Sequence, residues 1–397
     1  MNKFKTYSDL ILESKKSMSL PKTVYIINKL FKKENKSLYV VGGACRDFLL
    51  GIKPKDFDLA TDAKPAEVIS ILNSAGINNF PKGEAFGVIS AVTEDGEFEI
   101  TTFRADLSKG RRPDAVEFTT IDKDVLRRDL TINALFYDIE RKEVVDLVGG
   151  IKDLNDNIIR TVGIPTERFN EDPLRKMRAL RFKAKLGAKL DPATRDALIK
   201  SEWSKNLIPS ESLGSISKER IRDEFLKSIE FAKNPILYFS WLDEFRFWPF
   251  ILPSPNGNNI DTSFLNKSYI DSNNVDVQLA TLLKGVDLHK NTKYGLMIKK
   301  QYAYTIEQIR TIETLHFLMV FKPTDIIDIK KDLGISKLNI KTCLEFAKFN
   351  QIDKKLIQKL FDFNLSIKGD NPALNGLSGK AYGDKLKQLE AEAFENY

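Results

Sequence analysis

Leu38-Tyr39-Val40-Val41-Gly42-Gly43-Ala44-Cys45-Arg46-Asp47 is an apolar strand that runs into two glycines, a cation and an acid. A strand ending in bare glycine backbone with an arginine beyond it brings amide N–H groups and positive charge up to an oligophosphate. A second stretch follows closely, Lys55-Asp56-Phe57-Asp58-Leu59. The strand period of two puts Asp56 and Asp58 on one face and Phe57 and Leu59 on the other. Two hard carboxylate ligands on one face suit Mg²⁺. A lone glycine pair is usually a turn and a lone Asp-x-Asp usually a solvated loop; their order within one short segment points to phosphoryl transfer.

At 397 residues the chain exceeds one ordinary core, so two or more domains are expected. No apolar run is long enough to span a membrane. Met1–Ser19 carries Asp9 and Glu13 and no continuous apolar stretch, so no signal or transit peptide is expected and the expected location is the cytoplasm. The two cysteines, Cys45 and Cys343, have no metal-ligand spacing, and the two histidines, His289 and His316, are too few for a zinc site, a serine-type triad or a His–Asp phosphohydrolase. The chemistry must therefore run on carboxylates, arginines and metal. A net charge of +7 favours a polyanionic partner, although the excess is small against 62 basic and 55 acidic side chains.

Periodicity predicts a helix over Lys22–Glu34, then strands at Leu38–Val41, Phe57–Ala60, Val88–Val92, Glu97–Phe103 and Ala115–Thr120. Short helices are expected at Arg46–Leu50 and Pro65–Ala75, the latter stopped by Gly76. After Val125 only Leu135–Tyr137 and Glu143–Asp146 read as strands, and the rest is helical, with Ile251–Asn274 the most linker-like segment. The economical architecture is an α/β head followed by an all-α portion.

Four further constellations carry chemistry. Glu99 alternates with Phe98 and Ile100, and a neighbouring strand could set it beside Asp56 and Asp58 as a third carboxylate; an exposed strand glutamate is the equal alternative. Arg104, Arg111 and Arg112 lie in a stretch to Pro113 that reads as a mobile cationic loop able to close over a triphosphate or an RNA end, or else as a solvated hairpin. Arg127-Arg128-Asp129-Leu130-Thr131-Ile132-Asn133-Ala134 reads as a helix with Arg128, Asp129 and Asn133 along one side, suited to a phosphate and a ribose hydroxyl. In Glu171-Asp172-Pro173-Leu174-Arg175-Lys176-Met177-Arg178-Ala179-Leu180-Arg181 a helix spreads Arg175, Arg178 and Arg181 over one face. Leu174, Met177 and Leu180 fill the adjacent core stripe.

With Asp146-Leu147-Val148-Gly149-Gly150, these motifs in this order resemble the class II tRNA nucleotidyltransferases, the CCA-adding enzymes, which share their head with bacterial poly(A) polymerases. The likeness runs motif by motif from Leu38 to Phe182 and continues weakly beyond. It implies a polymerase-β-like α/β head, then all-α neck, body and tail. The division expected from it is an N-terminal extension at 1–21, a head at 22–140, a neck at 141–210, a body at 211–330 and a tRNA-contacting tail at 331–397. It also implies that Gly43 and Arg46 contact nucleotide phosphates and that Asp56 and Asp58 hold Mg²⁺. Arg128, Asp129 and Asn133 would contact ribose and phosphates, and Asp172 and Arg175 would read the base, with Arg178 and Arg181 in the same pocket.

Cytosine and adenine both offer an exocyclic amine beside an unprotonated ring nitrogen, which an acid next to an arginine fits, whereas uracil and guanine do not. The expected activity is addition of CMP, CMP and AMP to the 3′ end of tRNA from CTP and ATP. The alternatives are a poly(A) polymerase, a CC- or A-only enzyme, and a catalytically inactive tRNA-binding protein. Cys45 departs from the small aliphatic residue expected there, a mild change because a buried thiol behaves as a small hydrophobe.

Overall fold

The computed structural model describes residues 16–83, 87–106, 116–200, 216–252 and 302–397, with Ile11 and scattered residues between 262 and 299. They belong to two compact units, Met1–Ile216 and Ser217–Tyr397.

The first unit opens with helix α1 (Lys22–Lys33), which buries Val24, Ile27, Asn28 and Phe31 at helical spacing. Strand β1 (Leu38–Val41) leads through Gly42 into α2 (Gly43–Leu49), and β2 (Asp58–Thr61) follows. Helix α3 (Pro65–Ser74) begins with proline at its first turn and is followed by Gly76 at φ +67°, a left-handed position that ends it as expected. Then come β3 (Asn78–Gly83), β4 (Val88–Thr93), β5 (Gly96–Thr102), β6 (Arg104–Asp106), β7 (Val116–Phe118) and helix α4 (Ile121–Leu126). Strands β8 (Leu135–Asp138) and β9 (Glu143–Asp146) precede α5 (Gly150–Asn155), and a two-residue β10 (Ile158–Ile159) pairs with β11 (Lys189–Leu190). Between those two short strands lie α6 (Pro165–Glu171) and α7 (Leu174–Leu186), and α8 (Pro192–Lys200) follows them.

Seven strands make one mixed sheet in the spatial order β3-β4-β5-β2-β1-β8-β9, while β6 and β7 form a separate ribbon. Its centre is apolar. Val41, Ala60, Phe103, Val125, Ala134, Phe136 and Val162 pack as one buried cluster. Strand β3 escaped the sequence reading because Pro81 sits inside it, and the register slips between Pro81 and Gly83; proline is tolerated there because β3 is an edge.

The helix expected over 127–134 is absent. Leu130 is extended at φ −124° and ψ 143° and bridges Thr161, and Thr131–Asn133 is a single 3₁₀ turn. Leu130 to Tyr137 are all buried, Thr131 and Asn133 included, so the segment has no exposed side for an amphipathic helix to present. Arg104 is likewise not in a loop but opens β6, opposite Phe118. Arg111, Arg112 and the rest of 107–115 lie outside the described residues.

The second unit is helical: α9 (Lys218–Phe231), α10 (Pro235–Glu244), α11 (Trp248–Ile251), α12 (Val275–Leu282), α13 (Ile306–Val320), α14 (Ile326–Ser336), α15 (Ile340–Asn350), α16 (Lys354–Asp362) and α17 (Gly379–Asn396). Aromatic rings dominate its interior, with Phe239 5.5 Å from Trp248 and 5.8 Å from Tyr269. Tyr269 falls in the segment that reads as a linker, yet it is buried and donates its hydroxyl to the Gln278 carbonyl at 2.9 Å. Among the described residues no helix is long and apolar enough to cross a membrane.

Candidate active site

Strand register gathers the acids. Val41 pairs with Asp58, so the glycine turn leaves β1 at the edge where β2 begins. On its other side β2 runs parallel to β5 with Leu59 opposite Ile100, which brings Asp58 alongside Glu99. Phe98 and Ile100 are buried and Glu99 faces away from them, as the alternation requires. Asp56 lies just before β2 rather than on it, but lines the same cleft of about 500 Å³ with Asp58, Glu99, Lys55 and Lys82. The protein packed around Asp58 and the negative charges of Glu99 and Asp56 push its carboxyl above the usual 3.8.

Lys82 is the group that sequence reasoning missed here. From β3 it meets Glu99 at 2.6 Å and Glu97 at 3.0 Å, and its bonds to Glu99 and Glu97 raise its ammonium to about 12. The third carboxylate is therefore held by a cation.

The donor set fits a divalent ion: hard oxygens crowded until one of them resists ionisation are what a cation relieves. Among the described residues no cluster of three or more metal-binding side chains stands ready-made, so an ion held by Asp56 and Asp58 would share its remaining positions with ligand oxygens and water.

The glycine turn is built by close backbone approach. Gly42 sits at φ +71°, the left-handed position that favours glycine, and donates its N–H to Leu135 O at 3.0 Å, while Asn133 O lies in ordinary contact at 3.7 Å from the place of a Cβ. Arg46, 4% exposed, donates Nη1 to Asn133 Oδ1 at 2.5 Å and Nε and Nη2 to Asp47 at 2.9 and 2.7 Å. It thus clamps Asn133, whose amide nitrogen is buried with no partner. An unpaired buried N–H is costly, and a ligand oxygen would satisfy it. Cys45 behind the turn is fully buried and its thiol is pushed up to about 12 by burial.

Arg128, Asp129 and Asn133 thus do not line one helix side; they diverge. Arg128 puts Nε and Nη2 on Asp124 at 3.1 and 3.0 Å and lays its guanidinium 4.5 Å over the Phe136 ring. That leaves Nη1 beside Gly42, close enough for its charge to act on Asp58. Asp129 pairs instead with Arg178, at 2.6 Å.

Helix α7 starts at Leu174 and buries Leu174, Met177 and Leu180, the stripe the sequence marks as core. Arg175 does not stand free as a base reader. Nη1 meets Glu171 at 2.8 Å and Nη2 the Arg127 carbonyl at 2.8 Å, while Asp172 accepts the Leu174 N–H at 3.1 Å. Phe182, not singled out in the sequence, is ringed by guanidiniums: Arg181 at 4.2 Å, Arg46 at 4.9 Å and Arg178 at 5.9 Å from its centroid. Cations gather on an aromatic face because its quadrupole is negative. Asp146 is a scaffold: its carboxylate accepts the N–H groups of Val148, Gly149, Gly150 and Ile151 and so anchors α5.

A mixed sheet carrying a glycine turn at one strand end and a carboxylate cluster at the next can bring a divalent ion up to an oligophosphate. Residues 38–160 match the family model described as the poly A polymerase head domain.

The chain is 40% identical to the CCA-adding enzyme of Bacillus velezensis over 216 residues, which are 54% of this chain and 51% of that protein. It is 41% identical to the CCA-adding enzyme of Ligilactobacillus salivarius over 200 residues, 50% of this chain and 46% of the other. The chain thus spans half the length of the curated relatives it matches. In fold it resembles the crystal structure of the Bacillus stearothermophilus CCA-adding enzyme in complex with CTP, with TM-score 0.71 and 22% identity over 94% of this chain and 92% of that one. The Thermotoga maritima CCA-adding enzyme complexed with tRNA gives TM-score 0.63 and 21% identity over 100% and 96%. The likeness in sequence thus extends over about half of this chain, and the likeness in fold over nearly its whole length.

Proposed function

We propose that the protein adds CMP, CMP and AMP to the 3′ end of tRNA from CTP and ATP, releasing pyrophosphate. The observation that carries the reading is the juxtaposition of Asp58, its acidic neighbours and the Arg128 charge beside the glycine turn, in a chain 40% identical over about half its length to a CCA-adding enzyme. The RNA 3′-hydroxyl attacks the α-phosphate in line. Asp56 and Asp58 would hold Mg²⁺, which when bound acidifies that hydroxyl and neutralises the leaving oxygens. Gly42 and Gly43 let backbone approach the triphosphate, Arg128 faces it, and the unpaired Asn133 amide donates to the sugar. Glu99, drawn off Lys82, would complete the acid set.

On this reading Asp172, just before α7, and Arg175 in its first turn select cytosine and adenine, with Arg178 and Arg181 in the same pocket. A mismatched hydrogen-bonding edge in such a pocket can discriminate by about 10⁴-fold. The head at 22–140, neck at 141–210, body at 211–330 and tail at 331–397 divide the labour between chemistry and tRNA, with Arg104, Arg111 and Arg112 closing on the RNA end, in the cytoplasm.

The test is incubation of the protein with tRNA lacking its terminus, CTP, ATP and Mg²⁺. Three nucleotides and no more are expected, and none with Asp56→Ala. The match of residues 38–160 to the poly A polymerase head domain favours one second reading, a poly(A) polymerase, which would add an open-ended run of A. Two further outcomes are distinguishable: an enzyme adding only CC or only A, and a protein that binds tRNA without incorporation.

A further inference from the structure

We infer that Asp124 is a positioning residue that sets the nucleotide-facing arginines, a role no motif of the sequence announces. It sits on the short helix α4 with 1% of its side chain exposed, and both carboxylate oxygens are used. Oδ1 takes Arg127 Nε at 2.9 Å, Arg127 Nη2 at 2.7 Å and the Arg104 amide at 3.2 Å. Oδ2 takes Arg128 Nε at 3.1 Å and Nη2 at 3.0 Å. One buried acid thus orients two adjacent guanidiniums.

What those arginines touch gives the arrangement its meaning. With Nε and Nη2 fixed, Arg128 can present only Nη1 to the glycine turn, beside Gly42 and within reach of the Asp58 charge. Arg127 donates Nε to the Arg104 carbonyl at 3.1 Å, and its own carbonyl accepts Arg175 Nη2 at 2.8 Å. Asp124 therefore links the phosphate side of the pocket, through Arg128, with the base-reading side, through Arg127 and Arg175. Burial opposes its ionisation, but the Arg127 and Arg128 guanidiniums outweigh that cost and hold its carboxyl below the usual range. Removing the charge would leave two cations facing a neutral group and free both to rotate. An arginine misplaced by about 1 Å costs about 100-fold in a reaction that depends on alignment.

This rests on the reading of the cleft as a nucleotide site. The experiment compares wild type, Asp124→Asn and Val125→Ala for equilibrium binding of CTP and ATP, for kcat and KM of incorporation, and for misincorporation of UTP, with thermal unfolding measured alongside. Val125 is a neighbouring buried core residue, so its variant loses stability while leaving the Asp124 carboxylate and its arginine partners in place.

The expected result for Asp124→Asn is CTP affinity weaker by about 10-fold or more, with UTP misincorporation raised, beyond any change in Val125→Ala at equal or greater stability loss. Nucleotide affinity and selection equal to those of wild type, or losses matched by Val125→Ala, would overturn the inference. Should Asp124→Asn not fold, Arg127→Met gives the second reading, because it removes the bonds by which Asp124 holds residue 127, whose carbonyl takes Arg175, while leaving the Asp124–Arg128 pair. Raised UTP misincorporation with little change in CTP affinity supports the inference, and unchanged selection overturns it. A wild-type protein that incorporates no nucleotide instead refutes the proposed function.

Discussion

Arg178 on α7 brings both Nε and Nη2 to within 2.6 Å of a single oxygen of Asp129, so that the arginine helix is tied to the extended segment behind the glycine turn. Burial alone would raise the Asp129 carboxyl, but Arg178 outweighs it and holds the group below the usual 3.8. An acid whose folded value is depressed contributes stability that is present above its unfolded value and is lost as pH falls through the folded one. The pair should stabilise fully above about pH 4 and fade below it. In urea unfolding from pH 6 to pH 2.5, Asp129→Asn should lose about 2–3 kcal/mol at pH 6 and fall less steeply with acid than wild type. Parallel curves would contradict this account.

At Asp58, removing the charge should have opposite effects on stability and on activity. Repelled by Glu99 and Asp56, this carboxylate destabilises the metal-free protein, so Asp58→Asn should raise the melting temperature in EDTA. Added Mg²⁺ should raise the melting temperature of wild type and not that of the variant. Incorporation by the variant should fall by about 10³-fold or more.

Asn133 allows the clamp and the donor to be separated. Asn133→Asp preserves the oxygen that accepts from Arg46 and replaces the unpaired amide with a second acceptor. The fold should hold, and ATP and CTP should each bind about 10-fold more weakly or worse, read by isothermal titration. Unchanged affinity would remove Asn133 from the pocket.

Gly150 has no room for a side chain. A Cβ there would lie 2.2 Å from the Thr131 carbonyl oxygen, so Gly150→Ala must push α5 away from the 3₁₀ turn. We expect about 3 kcal/mol of destabilisation by denaturant titration, with nucleotide affinity weakened because Asn133 is part of that turn.

Where one physical signal dominated, the sequence was readable. Leu38–Val41 is apolar and bounded by glycine, and it is β1 residue for residue; α3 stops where Gly76 says it must. The polar spacing of Arg128, Asp129 and Asn133 mimicked a helical period, but Thr131 and Asn133 are buried along with Leu130, Ile132 and Ala134, which no amphipathic period records. Lys82 and Asp124 were invisible for a different reason. Each acts through partners brought in by tertiary pairing, Lys82 across the β3–β4–β5 edge and Asp124 at the root of β6, and no local pattern records such a meeting. The same holds for Glu171, which stands in the quoted motif but gains its meaning only when Arg175 turns to it rather than standing free.

Val41 faces Asp58 on one side and Phe136 on the other, so the middle of the sheet is joined from strands made early and late in synthesis. A nascent chain that has emerged from the ribosome only as far as β5 already owns every acidic ligand and none of the arginines of α7. On the proposed function, competence therefore comes late, because the Asn133 segment beside Gly42 and then the arginines of α7 are made only after the acids.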